Sequence, residues 1–361
     1  MPTWGELLKE LARLQQRAGR AAQVAAPAPG TPSPHDQVRR KYLKALNDRT
    51  GRAVIVYATA WQEGKENVTS ADVSVGLGDI HGFMEAVSNA EEQELDLFLH
   101  SPGGSAEAAE AIMAYLRTQF DHIRAVVPLA AMSAATMMAL ACDEIVMGAH
   151  SQLGPIDPQL TIGTPEGPRS APAQAIIDQF ARAKKECQDP ANIAAWLPIL
   201  RGYGPGLLAI CDNQRELAEE FATLSLEAHM FAGESNAHDK AEKAAKWFAN
   251  FSSFRSHGRR VSRDEALALG LKIVDLGGDD DLQDAMLSVH HAVSHTLAAT
   301  PAFKIIENHR GRAYIAQKAL QQVVLEPPGG SAPGQVGSTP APGEGGGNRA
   351  QRRQAQKGRG R

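Results

Sequence analysis

Residues 95–112, LDLFLHSPGGSAEAAEAI, and residues 126–147, VVPLAAMSAATMMALACDEIVM, share one plan. In each, a short apolar run reads as a buried strand. The run breaks at a turn and gives way to small and aliphatic residues at helical spacing. In the first stretch Ser101-Pro102-Gly103-Gly104 makes the turn, and a helix is predicted from Ser105. In the second, Ser133 opens a helix built almost only of small and apolar residues. Strands alternating with helices in this way imply βαβ connections and a mostly parallel sheet.

The same alternation extends outward. RAVIVYATA (52–60) and EIVM (144–147) read as further strands, and 79–90 as a helix. Beyond Pro172 the pattern turns helical, over 172–188, 191–200, 206–232 and 237–251. SRDEALALG (262–270) predicts a short helix capped by Ser262, with Glu265 three residues on. A strand over 271–276, a helix over 279–297 and a hairpin around Arg310-Gly311-Arg312 complete the folded part. The fold class is α/β with a helical C-terminal part.

Four regions are expected. Trp4, Leu7, Leu8, Leu11 and Leu14 give 1–20 an amphipathic helix for packing or oligomer contact. An Ala/Pro-rich linker follows over 21–37, then one domain over 38–325. The Pro/Gly/Ser-rich tail, 326–361, is expected to be disordered. It ends NRAQRRQAQKGRGR, a basic stretch suited to nucleic acid or an acidic surface.

Composition narrows the function. Over 361 residues, 37 Lys and Arg stand against 41 Asp and Glu, a net charge of −4, which argues against whole-domain nucleic-acid binding. Cys142, Cys187 and Cys211 form neither a disulfide framework nor a CxxC zinc pattern, and a reducing, cytoplasmic compartment fits. The longest weakly polar run, 126–142, contains Pro128, Ser133 and Thr136 and falls short of the roughly 20 apolar residues a membrane span needs. The N-terminus has no apolar signal core. No G-x-x-x-x-G-K-[ST] loop is present, so no nucleotide or other cofactor is expected. His291 and His295 have i, i+4 spacing without an HExxH pattern, so helix-face packing with His290 is expected and no metal.

The chemistry centres on the two turns. Glycines beside a helix N-terminus offer backbone N–H groups to a developing negative charge, as an oxyanion hole requires. Ser133 at a helix head fits an N-cap or a nucleophile. If both turns face one sheet edge, a substrate carbonyl would meet Ser133 Oγ, the N–H of Ala134 and that of Gly104 together.

SPGGSAEAAEAI followed by AMSAATMMALACDEIVMGAHSQLGPIDPQ resembles the Clp-fold serine peptidases, a group that includes the Clp protease proteolytic subunit and the Ser/Lys signal peptide peptidases. The nearest likeness is to the serine dehydrogenase proteinases. It runs on through HGRRVSRDEALALGLKI (257–273), LQDAMLSVHHAVSHTL (282–297) and FKIIENHRGRAYI (303–315), covering roughly residues 38–317. The resemblance implies a Clp/crotonase-like fold of stacked ββα units, homo-oligomeric assembly, peptide or protein substrates and a nucleophile at Ser133. The Gly-Gly element falls on Gly103 and Gly104. Relatives commonly carry glycine two residues after the serine, where this chain has Ala135.

The activating base stays open between three places. His150 lies about seven residues before the position of the Clp-type histidine, where this chain has Asp157. Lys184 and Lys185 have the separation of a Ser/Lys dyad, which requires a buried, neutral lysine. His257 lies where the Clp subunit supplies the acid, so a triad of Ser133, His257 and Asp157 would exchange the base and acid positions. The reading is a serine endopeptidase, ATP-independent within this chain. The alternatives are a catalytically silent oligomeric scaffold and a crotonase-type enzyme holding a thioester oxyanion.

Overall fold

The structure, a computed structural model, describes residues 4–24, 28, 30–164 and 167–318. The predicted tail at 326–361 lies outside the described residues. The strands are β1 (Ala53–Thr59), β2 (Glu94–His100), β3 (His122–Val127), β4 (Ala130–Ala131), β5 (Glu144–Met147), β6 (Gln152–Leu153), β7 (Gln159–Thr164), β8 (Gly167–Pro172), β9 (Val261–Ser262), β10 (Ile273–Asp275), β11 (Ala302–Asn308) and β12 (Ala313–Gln317). The helices are α1 (Trp4–Val24), α2 (Pro34–Thr50), α3 (Ser70–Val73), α4 (Asp79–Val87), α5 (Ala106–Arg117), α6 (Ala134–Leu140), α7 (Ala173–Glu186), α8 (Ile193–Leu200), α9 (Leu207–Ser225), α10 (Ala237–Ala249), α11 (Phe251–Phe254), α12 (Arg263–Ala268) and α13 (Asp280–Ala299).

The main sheet has the order β10-β5-β3-β2-β1-β11-β12. The pairs from β10 to β1 are parallel, and β11 joins β1 antiparallel before turning into β12 as a hairpin. The apolar run in β1 follows from burial on both faces. Ala53, Ile55 and Tyr57 face a core under α4, α5, α6, α9 and α10, while Val54, Val56 and Ala58 face a second core under α2 and α13. Asp96, in the middle of β2, is buried on that second side and is neutralised by Arg52 and Arg124 at 2.8 Å each. The fold is α/β.

A smaller sheet, β4-β6-β9, is extended by a bridge from Ser101 to Ala131. Thus β2 runs through Ser101 to α5, and β3 runs through β4 to α6. This repeated strand, short strand, helix unit sets the two glycine and serine turns side by side.

Several boundaries differ from expectation. The stretch read as a linker is shorter, because α1 runs to Val24 and α2 starts at Pro34. Ser33 and Asp36 form a reciprocal capping box, with Pro34 in the first turn, where its missing N–H costs nothing. The helix expected to 232 breaks into a π-helical turn, Leu226–Met230. The β7–β8 hairpin appears where no strand is expected, since its residues are mostly exposed and give no apolar alternation. Trp4 packs its ring 3.7 Å from that of His295 and edge-on to His291, so two of the α13 histidines hold α1. Among the described residues no helix is long and apolar enough to cross a membrane.

Candidate active site

Two serines open helices in the paired turns, and they behave differently. Ser105 caps α5 as a helix-starting serine should, accepting the Ala108 N–H at 3.0 Å. Ser133 stands at the same place before α6 but makes no capping bond. Its backbone has φ 51° and ψ −121°, the first central position of a type II′ turn closed by Ala135 N–H to Met132 O at 2.9 Å. Glycine is the usual occupant there, and a positive φ at serine costs of order 1–3 kcal/mol.

Neighbouring contacts hold that strain. Met132 N–H donates to Ser101 O, and Thr136 Oγ1 donates to Ala131 O and accepts from Gly154 N–H. The Ser133 side chain is left half-buried, with no hydrogen bond among the described residues. Ala135, where relatives commonly have glycine, puts its methyl into the core.

The diglycine turn lies directly against it. A Cβ on Gly103 would meet Ser133 Cβ at 2.6 Å, and one on Gly104 would meet the Val75 backbone at 2.3 Å. Both glycines have positive φ, 96° and 156°. The three sequence-derived oxyanion donors are not equivalent. Gly103 N–H is committed to Ser101 Oγ at 3.2 Å, which removes it as a free donor. Gly104 N–H and Ala134 N–H donate to no acceptor among the described residues. Gly104 keeps that freedom because its neighbours take the backbone bonds, Val75 N–H to Gly103 O and Ser105 N–H to Val75 O.

His257 and Asp157 meet although 100 residues apart, with Nδ1 and Oδ1 separated by 2.8 Å. The small sheet explains the meeting. β6 pairs with β9 antiparallel, Leu153 opposite Val261, and Asp157 lies four residues after the first as His257 lies four before the second. Asp157 is almost wholly buried, and its other oxygen accepts Gln159 Nε2 at 2.8 Å. A carboxylate only accepts, so Nδ1 carries the proton, and in the neutral ring this tautomer leaves the Nε2 lone pair free. His257 is 27 % exposed. It lines a cleft of about 400 Å³ together with Ser133, Gly103, Gly104, Gln159 and Gln214.

The other candidate bases lie elsewhere. Lys184 and Lys185 are exposed on α7 and are not among the cleft residues, so neither meets the burial that a neutral lysine needs. His150 is exposed and packs against Gly148. Gln159 and Tyr57 are not singled out by the sequence, and Ser101 reads only as part of the turn, because isolated polar residues in or beside a strand carry no spacing signal.

Residues 39–196, less than half of the chain, match the family described as ClpP-like SDH-type serine proteinase, in line with the resemblance noted in the sequence. The match includes Ser133, both glycines and Asp157 but not His257. Two curated relatives, both uncharacterized proteins of Methanocaldococcus jannaschii, are 33% identical over 28% of this chain and 38% identical over 34%. Those matches span 32% and 43% of the relatives, less than half of either. Among solved structures, two forms of the 1510-N membrane-bound stomatin-specific protease are similar at 16% identity and a TM-score of 0.36. One is a serine-to-alanine mutant (59% of this chain, 79% of that one). The other is a lysine-to-alanine mutant in complex with a substrate peptide (58% and 74%).

Proposed function

We propose that the protein is a serine peptidase that cleaves peptide bonds through an acyl-enzyme on Ser133. The observation that carries this reading is the uncapped, strained Ser133 in one cleft with Gly104, whose N–H has no acceptor among the described residues, and an imidazole oriented by a buried carboxylate. Strain of this kind persists where a fixed side-chain direction matters, and a cap would need none of it.

In the proposed mechanism Ser133 Oγ attacks the scissile carbonyl as its proton passes to His257 Nε2. Asp157 keeps the imidazole in the required tautomer and balances the charge it gains. The carbonyl oxygen, now an anion, accepts from Gly104 N–H and Ala134 N–H. His257 returns the proton to the leaving amine, and water reverses the sequence on the ester. The imidazole does not hold the Ser133 hydroxyl in this structure, so substrate binding brings them together, as is common for catalytic hydrogen bonds in unliganded sites. Peptide or protein substrates, assembly of several copies and a cytoplasmic location belong to this reading.

A fluorophosphonate probe tests it. The wild type should label on Ser133, with labelling abolished in Ser133→Ala and reduced at least a hundred-fold in His257→Ala. Undiminished labelling in Ser133→Ala overturns the assignment of the nucleophile.

A further inference from the structure

Behind the diglycine turn lies a polar cluster that the mechanism above does not use. Tyr57 on β1, Asp79 at the start of α4 and Lys304 on β11 are all buried. Lys304 Nζ stands 2.7 and 2.9 Å from the two Asp79 oxygens. Tyr57 Oη donates to Asp79 Oδ2 at 2.8 Å, and Gly76 N–H donates to the same oxygen at 3.0 Å. A buried ion pair is weak evidence for stability, because desolvation offsets its attraction. Its connections are more telling than its energy.

Two arms lead from it to the cleft. Lys304 Nζ also donates to Ser74 O at 2.8 Å, so residues 74 and 76 are both fixed by the cluster. Val75, between them, makes the two backbone bonds that flank Gly104. On the other side, β1 pairs with β2, Tyr57 opposite Leu99, two residues before Ser101. Ser101 Oγ takes up the Gly103 N–H, and Ser101 O takes up the N–H of Met132, the residue before Ser133.

We propose that Tyr57, Asp79 and Lys304 are positioning residues, a buried clasp that fixes the direction of the Gly104 N–H relative to Ser133. The proposal rests on the peptidase reading. Gly104 has no side chain to hold its peptide plane, so the plane is set by Val75 on one side and Ser101 on the other. The clasp grips the first by hydrogen bonds to residues 74 and 76, and Tyr57 is tied to the second through the β1–β2 pairing. An N–H aimed in advance at the forming oxyanion stabilises the transition state and contributes little to binding the ground-state peptide.

The test uses Tyr57→Phe, which removes one hydroxyl and keeps the ring, and Asp79→Asn as a stronger variant. Ser101→Ala replaces the latter if it does not fold. Amide hydrogen exchange over 74–76 and 101–105 should rise about ten-fold in each variant. The kcat for a peptide should fall about ten-fold for Tyr57→Phe, less than the ~10²–10³ lost with a whole oxyanion donor, with KM changed less than two-fold. Affinity for a peptide boronate, which makes a tetrahedral anion on serine, should fall by the same factor as kcat. Unchanged exchange, or a KM that rises while kcat and boronate affinity hold, overturns the clasp. Failure of the peptidase reading is separately visible as boronate affinity that survives Ser133→Ala, and the exchange measurement decides the clasp even then.

Discussion

Gly103 and Ser133 are packed so closely that a Cβ on the glycine would stand 2.6 Å from the serine Cβ, with Met132 O at 2.5 Å and Ala134 N at 2.8 Å. Two of those three atoms are backbone, so the contact cannot be relieved by a side-chain rotation. Gly103→Ala also meets a φ of 96°. The expected cost is roughly 1–3 kcal/mol or more of stability, seen as a lower Tm, together with loss of phosphonate labelling. A variant that melts and labels like the wild type would show that the two turns are not held in register.

Asp157 is expected to act on rate through the imidazole. Asp157→Asn keeps the shape but offers a side chain that can turn an N–H toward His257 Nδ1 and so favour the wrong tautomer. A drop in kcat of about 10⁴ is expected, with KM within a few-fold, by analogy with the same change in other triads. Steady-state hydrolysis at several substrate concentrations reads both constants. Retention of more than a tenth of kcat would remove Asp157 from the mechanism. Gln159→Ala takes away the hydrogen bonds to Oδ2 and to the Asp157 carbonyl but leaves the carboxylate, and its loss should be smaller.

The alternative base gives a prediction of no effect. Lys184 and Lys185 are exposed on α7, away from the cleft residues. Lys184→Ala and Lys185→Ala, singly and together, should leave kcat/KM within two-fold of the wild type. A hundred-fold loss in either would point to a rearranged α7 and a Ser/Lys dyad.

The sequence carried the parts of the fold that have a period or a run. The continuous apolar stretch of β1 announced a strand buried on both faces, and SRDEALALG announced a capping box that Ser262 and Glu265 do form. What it withheld was set by distance along the chain. Asp157 meets His257 through a two-residue pairing of β6 with β9, too short to show as alternation. The distinction between Gly103 and Gly104 as donors depends on Val75 and Ser101, whose side chains and neighbours carry no motif. Lysine pairs on a helix read alike whether buried or exposed, so Lys184 stayed a candidate until its surroundings were seen.

Stability should fall with acid well before the carboxylates protonate. His100, at the end of β2, is buried and held down to about 4 by loss of solvation, the Ala130 carbonyl opposing only in part. His290 on α13 is held well below the usual imidazole value, by burial first and then by His100, His291 and His150. The rings of His100 and His290 lie 5.4 Å apart, with Trp61 beside His100 and no carboxylate among the groups that shift either one. Both are therefore neutral in the fold and take up protons when it opens. The unfolded chain binds more protons between its ordinary histidine value near 6.5 and the depressed folded values, so stability is fully present above about pH 6.5 and is lost as the pH falls toward 4. Each such histidine contributes up to about 1.4 kcal/mol per pH unit across that window. Urea unfolding at pH 7.5, 6, 5 and 4.5 should show a constant midpoint at first and then a steep decline, and His100→Leu should flatten the decline. Identical pH dependence in the variant and the wild type would mean that His100 is already protonated in the folded chain.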